Sequence, residues 1–390
     1  MRIKHPGFGK VVTGVLLVLF GLFVGLIAIE IILPALQIQG VERYVYQRKR
    51  PIVQYIYGQY HSTLGYILRQ NLENAHIKYR NYLDYSFQTN ANGFRGKDWD
   101  VSPGRKNVVV LGDSFAFGWG VEENQTFAAL LEKRLRQIDP AVQVLNMAQS
   151  GYSLDQILNV YDLYGNSFDP IFIVYLYCFN DPIEPPPFIN GEFDYKNFRM
   201  KVPRQAWEEE ARNNNTNIWR LERSWKGSYV FAFYNNYLLP FFVDKRSSEF
   251  RRARKARLTF SYDTLSPPTP PSGPIPRTSI QQQYVWYCLD KLYNDSHKKP
   301  LLLMDTSDKV FVHMEDRAES DRWLLRDFAA LHQNVFFFDF ESELRRRNDG
   351  VLRYLNVDDH WNAAGHLLAS EMLFSAIEQN LAFFGVGKRQ

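Results

Sequence analysis

The sequence predicts an α/β protein built on a parallel five-stranded sheet with helices on both faces. Three observations carry that expectation. Short, almost wholly apolar runs recur from residue 106 onward. Stretches of helical period separate them. The runs end in loops rich in Gly, Ser, Asn and Asp. A strand with one wet face alternates polar and apolar residues, whereas a strand that is apolar throughout is covered on both sides.

The first strand is Asn107–Leu111, which stops at Gly112. Thr126 can cap a helix that runs to about Gln137, with Phe127, Leu130, Leu131 and Leu135 on one face. Val142–Asn146 reads as the second strand, and Leu154–Tyr164 as the second helix. Ile171–Leu176 is the third strand. Pro300–Met304 and Val335–Phe338 are the fourth and fifth, each preceded by a helical stretch. Ala363–Glu378 is the last helix. Residues 35–100 are polar, tyrosine-rich and irregular, with one short element near Thr63–Arg69. Between the third and fourth strands lies an excursion, residues 182–279, too long for a simple loop. It holds Pro185–Pro187, an acidic triplet Glu208–Glu210, a basic run Arg251–Arg257 and a proline-rich stretch at 266–277. We read it as an inserted lid or subdomain, and its basic run as a solvated helix face.

Composition bounds the function. The chain has 390 residues, 45% apolar and 23% charged, as an ordinary globular protein has. Its 46 Lys+Arg against 42 Asp+Glu are spread along the chain, so no nucleic-acid surface is expected. Two cysteines make neither a disulfide scaffold nor a four-cysteine zinc site. Cys178 and Cys288 are expected as buried free thiols, with a mutual disulfide as the alternative.

Val11–Ile29 is a run of nineteen residues without a charge, and apolar character resumes after Glu30 as far as Leu33. A bilayer core needs about 20 such helical residues. The run is long for the apolar region of a signal peptide and lacks a small-residue cleavage site. Residues 11–33 are therefore expected as an uncleaved transmembrane anchor, after a tail at 1–10 and before a membrane-proximal segment at 34–104. Arg2, Lys4 and Lys10 on one flank nearly balance Arg43, Arg48, Lys49 and Arg50 on the other, so charge does not orient the span.

In an open parallel sheet, the loops after the strands flanking the topological switch converge on one crevice. With a flavodoxin-like strand order, three loops would meet there: Gly112–Phe115, Asn146–Gly151 and Phe179–Asp181. A serine hydroxyl is a weak nucleophile until a base takes its proton. Negative charge then forms on oxygen, and fixed donors stabilise it. Ser114 would be the nucleophile. The Ser114 N–H, the Gly151 N–H and the Asn180 side-chain amide would form the oxyanion hole. His360, in Val357–Asn362 before the last helix, would be the base. Alternate residues of an extended stretch share a side, so Asp358 is the expected orienting acid and Asp359 the alternative. The Asp-Asp-His cluster lacks further ligands nearby in sequence, so no metal site is expected. His366 is expected to pack within the last helix.

LGDSFAFGWGV (111–121), NMAQSGYS (146–153), YCFNDP (177–182) and VDDHWNAAGH (357–366) resemble the four blocks of the SGNH, or GDSL, hydrolase superfamily, in the family's order. TNANGFRG (89–96) resembles the segment preceding that domain in membrane-anchored bacterial members. The resemblance covers residues 105–181 and 300–380, and places the catalytic domain at 105–181 and 280–385. It implies a flavodoxin-like three-layer α/β/α sandwich, a Ser114–His360 pair, the three oxyanion donors above, and no metal or organic cofactor. Two positions depart from it. Cys178-Phe179 stands where block three has glycine, and Val357 stands where the last block has its acid. The Asp358-x-His360 spacing is similar to that of anchored members and of relatives that transfer acyl groups to polysaccharides. The Gly-x-Ser elbow of α/β-hydrolases is set aside, because the candidate acid and histidine share one loop here.

The expected function is thus an extracytoplasmic serine esterase or deacylase, with a cytoplasmic amino terminus and an O-acylated glycan or lipid as substrate. One alternative is an O-acyltransferase working with polysaccharide-assembly proteins. Another is a non-catalytic glycan-binding or assembly protein.

Overall fold

The computed structural model describes residues 8–178, 180–181, 192–194, 199–201, 204–216, 228–234, 237, 280–306 and 315–387. The Pro185–Pro187, Arg251–Arg257 and 266–277 stretches lie outside these residues. The chain divides into two units: Met1–Arg50 with Thr216–Ala253, and Pro51–Asn215 with Arg254–Gln390.

In chain order, α1 (Phe8–Leu36) and α2 (Gln39–Lys49) come first, followed by α3 (Val53–Tyr57). Two antiparallel hairpins follow, β1 (Gly58–His61) with β2 (Gly65–Leu68), and β3 (Ala75–Tyr79) with β4 (Leu83–Phe87). Then come β5 (Lys106–Gly112), α4 (Ser114–Phe117), α5 (Phe127–Ile138), β6 (Val142–Asn146), α6 (Leu154–Leu163) and β7 (Phe172–Tyr177). The excursion contributes a small hairpin of β8 (Glu192–Asp194) and β9 (Arg199–Lys201), then α7 (Arg204–Thr216) and α8 (Tyr229–Phe233). The chain returns through α9 (Ile280–Asp295), β10 (Leu301–Asp305), α10 (Glu315–Leu331), β11 (Val335–Phe338), α11 (Phe340–Arg347) and α12 (Ala363–Gln379).

The five-stranded sheet has the order β11-β10-β7-β5-β6, and every pairing is parallel. Read from β6, this is the flavodoxin order, 2-1-3-4-5, with its switch point between β5 and β7. Strands β6, β7 and β10 are buried at every residue. Val109, Leu111, Ile173, Tyr175, Leu301 and Leu303 face α6, α9 and α10 across one shared core. Helices α5 and α12 pack together on the other face. Thr126 does cap α5, its hydroxyl accepting from the Ala129 N–H at 3.3 Å. Burying one such apolar side chain stabilises the fold by about 1.5–3 kcal/mol.

Residues 35–100 differ from expectation. They form α2, α3 and both hairpins rather than one short element. The strands are four or five residues long, and their buried positions are filled by Tyr66, Tyr85, Ala75 and Ile77. Tyrosines read as polar in sequence, yet their rings are core-forming when the hydroxyl has a partner. Tyr66 supplies the case: its hydroxyl donates to the Ser150 carbonyl, and its ring stands edge-on to Tyr152 at 5.1 Å. Leu64, Tyr66, Ile67 and Phe94 belong to the sheet's own core.

Helix α1 contains Val12–Leu36, 25 residues that include an 18-residue stretch with a mean hydropathy of 2.9, long and apolar enough to cross a membrane. At 1.5 Å per residue this is about 37 Å, more than the roughly 30 Å of a bilayer core. Nothing lies within 4 Å of a Cβ built on Gly21 or Gly25. Cys178 and Cys288 are buried free thiols, and burial pushes both well above the usual thiol range.

Candidate active site

The first loop is shaped by its glycines and one aspartate. Gly112 ends β5 at φ +148, where a Cβ would meet Ala116 Cβ at 2.6 Å and the Leu176 carbonyl at 3.0 Å. Only glycine lets the chain turn this close to β7. Asp113 then caps α4, accepting from the Phe115 N–H at 2.9 Å. Ser114 therefore stands at the first position of a one-turn helix, directly beyond the strand end.

The His360 loop is built by its neighbours. Asn362 caps α12, accepting from the Ala364 and Gly365 N–H groups at 2.9 and 3.1 Å. Its amide donates back to the Leu352 and Tyr354 carbonyls. Trp361 is fully buried, donates to the Thr306 carbonyl at 3.1 Å and lies on Phe340 at 4.2 Å between centroids. With the two residues that follow it fixed, His360 has little backbone freedom.

The two loops meet. Ser114 Oγ lies 2.6 Å from His360 Nε2. His360 Nδ1 is hydrogen-bonded to Asp358 Oδ1, which also accepts from the His360 backbone N–H at 3.1 Å. Asp358 is the carboxylate hydrogen-bonded to the ring. A proton on Nδ1 leaves Nε2 as acceptor for the serine hydroxyl, which is the tautomer a general base needs. The same hydroxyl is 3.4 Å from Asp113 Oδ2, a longer and weaker alternative.

The remaining two loops close on this pair. Asn146 donates to the Ala116 carbonyl at 2.9 Å, tying the second loop to the first. Asp181 ties in the third. It accepts from the Tyr175 hydroxyl at 2.7 Å, and its carbonyl accepts from the Leu154 N–H at 3.0 Å. Gly151 is left-handed at φ +80. Among the described residues, neither the Ser114 nor the Gly151 N–H donates to another group of the chain. The Asn180 side-chain amide stands beside the Asp113 carboxylate. Burial pushes the Asp113 carboxyl upward, opposed by the Phe115 N–H, by the His360 charge and by Asn180.

His366 packs within α12, as expected. It accepts from the Phe127 N–H at 3.3 Å and lies parallel to the Phe127 ring. Burial pulls its pKa down to about 3, so it is neutral. Among the described residues, no group of three or more His, Cys, Asp or Glu could hold a metal ion.

Sequence reasoning missed four residues. Trp119 Nε1 donates to the second Asp358 oxygen at 3.1 Å, so the acid is gripped from both sides. Arg95 is buried and donates to the Phe117, Gly118 and Val121 carbonyls at 3.2, 2.6 and 2.7 Å, clamping the turn that follows Ser114. Both lie inside stretches that drew attention for other reasons. Gln54 and Tyr66 carried no signal at all. A Cβ on Gly151 would meet Gln54 Nε2 at 2.9 Å and the Tyr66 hydroxyl at 3.4 Å, so both border Gly151.

No protein-family model and no curated protein matches the chain. Several solved structures are similar to it. TesA has 14% identity and a TM-score of 0.38, the match covering 70% of this chain and 99% of that one. A catalytic mutant of Axe2, an acetylxylan esterase from Geobacillus stearothermophilus, has 12% identity and a TM-score of 0.38, covering 72% and 96%. A member of the lipolytic protein G-D-S-L family from Veillonella parvula DSM 2008 has 12% identity and a TM-score of 0.36, covering 70% and 99%. These are likenesses only; the fold rests on the strand order and the site on its distances.

Proposed function

We propose that the chain is a serine-dependent acyl ester hydrolase of the SGNH type, working through an acyl-enzyme. The single supporting observation is the 2.6 Å approach of Ser114 Oγ to a His360 ring whose other nitrogen is held by Asp358. Ser114 Oγ attacks the ester carbonyl carbon as its proton passes to His360 Nε2. The carbonyl oxygen takes the electron pair, and the Ser114 and Gly151 N–H groups with the Asn180 amide stabilise it. The tetrahedral species collapses, breaking the bond to the alcohol, which leaves with the proton from His360. Water then gives a proton to His360 and attacks the acyl carbon, freeing the acid and Ser114. One lost oxyanion donor raises such a barrier by about 3 kcal/mol.

The substrate in this reading is an O-acylated glycan or lipid outside the cytoplasm, reached from the membrane by way of α1. A second reading keeps every step but the last, with a sugar hydroxyl replacing water to give an O-acyltransferase. The Asp358-x-His360-Trp361-Asn362 pattern is similar to that of anchored members and of polysaccharide acyltransferases alike, and is compatible with both readings. The detergent-solubilised chain should release nitrophenol from a short-chain nitrophenyl ester. Ser114→Ala and His360→Ala should each lower turnover by at least about a hundredfold. Equal rates in all three proteins would remove the enzymatic reading. Adding an oligosaccharide and weighing it by mass spectrometry separates the two fates: an acylated sugar means transfer, free acid alone means hydrolysis.

A further inference from the structure

Glu30 is a carboxylate inside the apolar span Val12–Leu36, six residues short of its end, or about 9 Å along the helix. An ionisable group at that depth requires a partner. Its partner is α8, a piece of the excursion that interrupts the sheet domain. The two Glu30 oxygens accept from the Tyr229 and Val230 N–H groups, each at 3.0 Å. Ser228 Oγ accepts from the Phe231 N–H at 3.0 Å, and the Ser228 carbonyl accepts from Ala232 at 3.0 Å. The amino end of α8 thus has its backbone donors satisfied within the protein, as a bilayer demands and water does not. Tyr229 and Ala232 are buried against Leu33, Val41 and Val45, and the Tyr229 hydroxyl donates to buried Glu42 at 2.9 Å. Tyr234 and Tyr237 are exposed, 42% and 39%, with Tyr237 stacked on Phe233 and its hydroxyl beside Gly40. Tyrosines concentrate where a bilayer meets water.

We propose that α8 and the tyrosines after it form a membrane-interface element, seated in the headgroup–acyl boundary of the leaflet that the carboxyl end of α1 enters and held there by Glu30. Its partner is bilayer lipid. The inference rests on α1 spanning the membrane, and the test separates the two. Full-length chain is reconstituted in phosphatidylcholine–phosphatidylglycerol vesicles containing lipid with a nitroxide near the headgroup end of its acyl chain. Single cysteines are introduced as Tyr234→Cys, Ile31→Cys and Val101→Cys, and labelled with a polarity-sensitive fluorophore; the native thiols are buried. Labels at 31 and 234 should lose at least about half their emission, and the label at 101 should keep it. Glu30→Ala should restore emission at 234 and leave 31 quenched. Quenching at 31 but not at 234 overturns the proposal alone. No quenching at either overturns the span as well. Quenching at 234 that Glu30→Ala does not change removes Glu30 as the tether.

Discussion

In the proposed reaction three side chains carry the chemistry, and a fourth is expected to set how well they do it. Asp358 spends one oxygen on His360 and the other on Trp119. A hydrogen bond to a charged acceptor contributes about 1.5–3 kcal/mol. Trp119→Phe keeps the ring and deletes the donor, so kcat should fall by about tenfold with KM little changed. An unchanged kcat would show that the indole only packs. Asp358→Ala should cost more turnover than Asp359→Ala, because the Asp358 carboxylate is hydrogen-bonded to the imidazole; the reverse order would transfer the orienting role. The meeting of Ser114, His360 and Asp358 was legible in sequence because each belongs to a motif. The grip of Trp119 on Asp358 was not, since 239 residues separate them and only the fold brings them together.

At the scale of elements, stability and catalysis share supports. Arg95 lies in the segment before β5 and fixes the turn after α4 through three carbonyls, with its guanidinium over the Phe117 ring at 5.1 Å. Arg95→Met leaves those carbonyls buried without their donor. It should destabilise the chain by about 2–4 kcal/mol and lower kcat as well, seen as a lower Tm and slower ester release. Asp305 ends β10 and accepts from the Phe340 N–H of α11 at 2.6 Å. Burial first, and Asp339 second, raise its pKa from 3.8 to about 7; Glu341 acts the same way and Arg322 opposes them. The folded state therefore holds this proton more tightly than the unfolded chain. The resulting cost is absent below about pH 3.8, grows as pH rises and is complete above about pH 7, reaching up to about 4 kcal/mol. Asp305→Asn keeps the acceptor and cannot ionise. It should raise Tm over the wild type at pH 8, with the gap closing toward pH 4; a gap independent of pH would contradict this. The sheet strands were legible because short, nearly continuous apolar runs alternate with stretches of helical period. The hairpins at 58–87 were not, because strands of four or five residues repeat a pattern too few times: β3 and β4 alternate buried with more exposed side chains, but over five residues each.

The whole molecule joins a flavodoxin-ordered sheet domain to a unit made of the apolar helix and its companions. The apolar run was plain in sequence, whereas the pairing of Glu30 with residues nearly 200 positions later was not. The proposed orientation has its own test: protease added to spheroplasts should degrade the globular part without lysis, and degradation only after lysis would place it in the cytoplasm. The account as a whole depends on one activated hydroxyl. A fluorophosphonate reacts with an activated serine and stays bound to it, so peptide mass spectrometry of the treated full-length chain reads the nucleophile directly. The expected adduct sits on Ser114, vanishes in Ser114→Ala and forms far more slowly in His360→Ala. An adduct on another residue, or one that forms as fast without His360, would contradict it.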